Sequence, residues 1–169
     1  MIQFRCTAKV QKEFDIKPDE LAETKSGNTQ LGNWYINLFK LDCQKTYIFV
    51  NEKTLLSFIL FGNKKSNAKN VPEMFLIGLG QLLIIEGFEQ NKVDKILNEY
   101  QSYEFTKTIS KSILGSINGL VDLYKHSILY QGGFEYADIG KIVLQMNRVP
   151  QKNLGWTNSI KIVKEILDE

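Results

Sequence analysis

The strongest alternation of hydrophobic and polar positions lies in residues 33–62. Two runs rich in aromatic and β-branched residues, 34–41 and 46–50, flank a polar break at Asp42, Cys43, Gln44 and Lys45, a pattern that predicts a β-hairpin. A third apolar run, 55–61, follows. Weaker alternation at 2–6 and 103–108 predicts two more short strands. The pattern therefore predicts an α+β fold: an antiparallel sheet of about four strands with a central hairpin, packed by several helices, and the N-terminal strand at an edge.

Helical periodicity marks the rest of the chain. Pro72 and Glu73 open a run through Phe75, Leu79, Leu82 and Leu83 that is apolar nearly all round and stops at Gly87, which predicts a central buried helix. More polar helices are predicted around 93–100, 136–146 and 158–167. The most informative helix is 110–130, with Ser110 as its N-cap. Ile113, Ile117, Leu120 and Tyr124 recur at i, i+4, i+7 and i+11 and face the core. Ser112, Gly115, Ser116 and Gly119 form a stripe of small residues against which a neighbouring element or a ligand can lie. Lys111, Asn118, Asp122 and Lys125 form the polar stripe.

At 169 residues, 43% hydrophobic and 24% charged, the chain is in the ordinary globular range, and one domain over residues 1–169 is expected. Its net charge of +2 creates no global field that would attract nucleic acid or an anionic membrane. A local lysine patch stays open: Lys64, Lys65 and Lys69 lie in a polar loop, and Lys107 and Lys111 flank the start of the 110–130 helix. Cys6 and Cys43 are far apart without a CxxC, and His126 is the single histidine, so no metal-ligand set and no cofactor motif is visible. Both cysteines read as buried or half-buried thiols in a reducing compartment. Residues 2–5 lack the pattern of a signal peptide, and the apolar run 74–85 is shorter than the roughly 20 residues of a membrane span. A cytoplasmic location without a membrane association is expected.

Two segments together resemble a known family: LGNWYINLF with its downstream FVNEKTLLSF, and TKTISKSILGSINGL. They are similar to an uncharacterised bacterial domain of unknown function with an LGDWY-like strand and an RSVLGSMND-like helix start. The chain departs from that pattern at Asn33, where Asp is expected, at Lys111 for Arg, at Ile117 for Met and at Gly119 for Asp. Lys111 loses the bidentate geometry of an Arg fork, and Gly119 removes a carboxylate. The resemblance implies kinship of fold and no activity.

The candidate site is the strand-to-helix junction, where backbone N–H groups at the helix start, Thr106, Ser110, Ser112, Lys107 and Lys111 converge on a place suited to phosphate or carboxylate. Asn118 extends it along the helix. Trp34, Tyr35 and Trp156 offer rings for stacking, although core packing explains them as well. Glu52, at a strand end, is the one carboxylate singled out. No catalytic constellation is recognisable: His126 lies ten to fourteen residues past Ser116 and Ser112, about 15 to 21 Å along one helix. The expected function is a binding or interaction domain, with protein or a small anionic ligand as partner. The alternatives are a nucleic-acid-associated protein using the lysines and a small hydrolase or transferase built at 106–118.

Overall fold

The computed structural model describes residues 1–61 and 68–168. Its centre is a five-stranded sheet of order β4-β3-β2-β1-β5, formed by β1 (Ile2–Cys6), β2 (Trp34–Leu41), β3 (Gln44–Asn51), β4 (Ser57–Phe61) and β5 (Tyr103–Lys107). The hairpin is present and β2 is the middle strand. Its turn is closed by Asp42 and Cys43, both at positive φ (50° and 61°), the type I′ geometry that matches strand twist.

The sheet is mixed, which corrects the antiparallel expectation. β1 pairs in parallel with both β2 and β5, while β2–β3 and β3–β4 are antiparallel. β1 is an interior strand, not an edge. A parallel β1–β2 pair requires a crossover, and residues 7–33 supply it through α1 (Ala8–Glu13) and a long loop.

Alternation along the strands creates two different faces. On the aromatic face, Phe4, Trp34 and Phe49 surround Phe75 of α2 (Val71–Ile85) at centroid separations of 5.1, 5.1 and 5.7 Å. Gly78 is required there, because a Cβ would collide with the Phe58 ring. Phe14, after α1, stacks on Tyr47 at 5.4 Å. α3 (Gln90–Asn98) packs beside α2. The expected burial of α2 holds for one side only: Phe75, Leu79, Leu82 and Leu83 are buried, but Ile77, Ile84 and Ile85 are exposed.

The opposite face carries Gln3, Arg5, Tyr35, Asn37, Ser57 and Thr106, with α4 (Lys111–Tyr130) and α5 (Ile139–Met146) against it. Tyr124 of α4 bonds Ser57 through their hydroxyls at 2.9 Å. The Asn147 side chain completes the edge of β4, accepting from Ser57 N at 2.8 Å and donating to Ser57 O at 2.8 Å. α6 (Ser159–Leu167) joins at the same place, with Ile160 N donating to Asn147 O at 3.2 Å. Among the described residues no helix is long and apolar enough to cross a membrane.

Candidate ligand groove and the cluster beneath it

The start of α4 is fixed from two sides. Ser110 Oγ accepts from Ile113 N at 3.2 Å, as an N-cap should, and Ser110 N donates to the Tyr35 hydroxyl at 3.2 Å. Tyr35 is buried, and that burial raises its phenol above the ordinary value, while the Ile109 and Ser110 N–H groups act in the other direction. Leu114 N donates to Ser110 O. Among the described residues no hydrogen bond is formed by the N–H groups of Lys111 and Ser112, which belong to the first turn of the helix at the positive end of its dipole.

Beneath this helix start lies a polar cluster whose centre, Arg5, has no distinct signal in the sequence. The Arg5 guanidinium is 1% exposed, and each of its three nitrogens donates a hydrogen bond. Nε donates to Glu52 Oε1 at 3.1 Å, Nη1 to Gln3 Oε1 at 3.2 Å and to Thr106 Oγ1 at 3.3 Å, and Nη2 to Lys25 O at 2.8 Å. Gln3 repeats the device: Nε2 donates to Glu23 O at 2.8 Å, and Oε1 accepts from Lys25 N at 2.8 Å. Asn33 donates to Lys25 O at 2.9 Å and accepts from Gln3 N at 3.0 Å. β1 thus pins the crossover loop to the sheet, and its polar side chains are buried under that loop.

Beside the small-residue face of α4 runs a groove of about 530 Å³. One wall is Ser112, Gly115, Ser116 and Gly119, and the other is the 149–156 segment with Lys152, Asn153 and Trp156. The segment is closed on itself: Gln151 N donates to Thr157 O, and Gln151 O accepts from Trp156 N, both at 2.9 Å. Gly155 and Trp156 stand at positive φ, 68° and 65°, which turns the indole outward to 67% exposure. Asn153 spans the groove, accepting from Ser112 Oγ at 3.0 Å and donating to Ser116 Oγ at 2.7 Å. A Cβ built on Gly115 or Gly119 meets nothing within 4 Å.

The expected site residues therefore separate. Ser112 lines the groove, and Ser110, Lys111 and Tyr35 belong to the helix start beside it. Lys107 and Lys111 are exposed. Thr106 is buried as an acceptor for Arg5. Asn118 is exposed on α4 and does not line the groove. Trp34 lies on the aromatic face, away from α4, with its indole N–H donating to the Tyr100 hydroxyl at 3.3 Å. Lys64 and Lys65 lie outside the described residues.

Glu52, marked in the sequence only by its place at a strand end, is the partner of Arg5. Of the 149–156 wall, the sequence singled out Trp156 alone, as a ring for stacking. His126 is exposed, and Ser112 and Ser116 bond Asn153 instead. Cys6 is buried, but Cys43 is exposed at the hairpin turn, contrary to the expectation for it. Among the described residues no three His, Cys, Asp or Glu side chains form a group able to hold a metal.

The family model described as a domain of unknown function, DUF6933, matches residues 3–162, and the chain belongs to that family. No curated protein matches the chain.

Proposed function

We propose that this member of a family with no assigned activity is a single cytoplasmic binding domain for a small anionic ligand, phosphate- or carboxylate-bearing. The anion sits at the free N–H groups of Lys111 and Ser112, with the Lys111 and Lys107 ammonium groups nearby, and the rest of the ligand lies along the groove towards Trp156. The exposed Cys43 thiol suits a reducing compartment.

One observation carries the proposal. Gly115 and Gly119 each lower helix stability by about 1 kcal/mol relative to Ala, yet nothing in the protein approaches where their side chains would be. Gly78, by contrast, is required by Phe58. The open glycines leave the α4 backbone accessible along the wall of a groove whose other wall is an outward-turned indole. Such a site has one apolar ring and a few convergent polar groups, the usual composition of a ligand site.

The chain has two tryptophans, and Trp34 is fully buried, so ligand-induced fluorescence change reports on Trp156. Titration with inorganic phosphate, glucose 6-phosphate and adenosine monophosphate is expected to give a saturable change with at least one phosphorylated probe. That change should be absent in Trp156→Phe, and the same probe should raise the melting temperature. A flat response and an unchanged melt for every probe count against the proposal.

A further inference from the structure

The Arg148 guanidinium, just past α5, uses only part of its donor set inside the protein. Nη1 and Nη2 donate to the two oxygens of Glu86, the C-cap of α2, at 2.9 and 2.8 Å, and Nη1 also donates to Leu144 O at 2.8 Å. Those bonds consume one fork of the guanidinium and the N–H on the Cδ side. The second fork, Nε–H with the remaining Nη2–H, forms no hydrogen bond among the described residues. The Glu86 side chain is 0% exposed and that of Arg148 is 47% exposed, so a buried carboxylate holds a half-exposed arginine in one orientation.

Arg148 lines an open cleft of about 760 Å³ whose other lining residues belong to α6 and its cap. Lys161 and Lys164 line it too, three residues apart and therefore on one face of that helix. Neither forms an ion pair among the described residues. Of the two carboxylates in the lining, Asp168 is taken by Lys92 at 2.9 Å, and Glu165 stands without an ion pair. The open groups are thus two ammonium groups and one guanidinium fork against a single carboxylate. We propose that this cleft is a phosphate site for a small phosphorylated ligand, separate from the groove beside α4, with which it shares no lining residue. The free fork of Arg148 takes two phosphate oxygens, and Lys161 and Lys164 neutralise the dianion as point charges. A carboxylate would fill the fork and leave the lysines unmatched.

Proton–nitrogen correlation NMR of the whole chain tests the proposal. Arg5 and Arg148 are its two arginines, so the Arg148 Nε–H is read as a resolved cross-peak. Inorganic phosphate added at constant ionic strength should shift that peak and the Lys161 and Lys164 backbone N–H peaks saturably, with a half-point below about 10 mM. Acetate should bind at least about tenfold more weakly. The Lys161→Gln, Lys164→Gln double variant should raise the phosphate half-point at least about tenfold, with an unchanged melting temperature in phosphate-free buffer because both side chains are exposed. Arg148→Lys keeps a cation beside Glu86 but has no fork, and it should weaken binding by a similar factor, read at the Lys161 N–H. An Arg148 peak that phosphate leaves in place overturns the proposal, as does acetate binding equal to phosphate or a double variant that binds like wild type. The Trp156 indole N–H in the same spectra reports the other groove, so a response confined to it overturns this site and leaves the reading of that groove standing.

Discussion

Arg5 Nε donates to Glu52 Oε1 at 3.1 Å, joining a guanidinium that is 1% exposed to a carboxylate that is 21% exposed. The pair connects the second residue from the end of β1 to the residue just past β3 across the intervening β2. Arg5 also holds Thr106 of β5 and the Lys25 carbonyl, so one side chain ties three strands and the crossover loop together. Removing either member leaves a charge without its partner, and for the buried Arg5 this is expensive. Glu52→Ala is expected to destabilise the protein by about 3 kcal/mol, read as a lower urea midpoint at unchanged slope. Arg5→Lys should not rescue Arg5→Ala, because an ammonium cannot reach acceptors in four directions. An Arg5→Lys midpoint equal to wild type contradicts this account of the cluster.

Thr46 is fully buried, and among the described residues its hydroxyl is the one buried side-chain polar atom without a hydrogen-bond partner. Valine has nearly the same shape and removes that hydroxyl. Thr46→Val should therefore stabilise by about 1 kcal/mol, whereas Thr106→Val, which deletes an acceptor for Arg5, should destabilise by a similar amount or more. Urea denaturation of the two variants side by side distinguishes an unsatisfied hydroxyl from a used one.

Burial pushes the Cys6 thiol from 9.0 up to about 12 and the Tyr100 phenol from 10.0 up to about 12, and it raises the Tyr124 phenol further. Each group holds its proton longer in the folded state than in the unfolded chain. Their contribution is therefore fully present below about pH 9 and is lost as pH rises towards about 12. Equilibrium unfolding should give a midpoint that is flat near pH 8 and falls beyond about pH 9 to 10, less steeply in Tyr100→Phe. A midpoint that stays flat to about pH 11 contradicts the burial argument.

The hairpin and the α4 register were legible because each is a local pattern. Alternation set β2 and β3, and the 3.6-residue period separated Ile117, Leu120 and Tyr124 from the small-residue face. The parallel placement of β1 was not legible, for a specific reason. Ile2, Phe4 and Cys6 alternate with Gln3 and Arg5, which is the pattern of a strand with one wet face, yet here the polar face is buried by a loop twenty residues away in sequence. Burial of that kind depends on side chains replacing a strand partner, and local periodicity carries no trace of it. At the candidate site, Ser110 was named from the cap, Ser112 from the small stripe and Lys111 from the polar stripe. Of the opposite wall, Trp156 was named as a ring without being placed beside α4, and Asn153 was missed because it reaches α4 only through the tertiary fold.

The groove makes a prediction that separates binding from stability. Gly115→Ala and Gly119→Ala place methyl groups in open space on a helix, so each should stabilise by about 1 kcal/mol, or about 2 to 4 °C in melting temperature. If these positions served internal packing, the same changes would destabilise.

The most direct test is the Trp156 fluorescence titration with phosphorylated probes, run on wild type and on the Gly115→Ala, Gly119→Ala double variant. The predicted result is saturable binding by wild type and at least about tenfold weaker binding by a double variant that melts at a higher temperature. A wild type that responds to no probe at millimolar concentration, or a double variant that binds as well as wild type, contradicts the assignment of this groove as the ligand site.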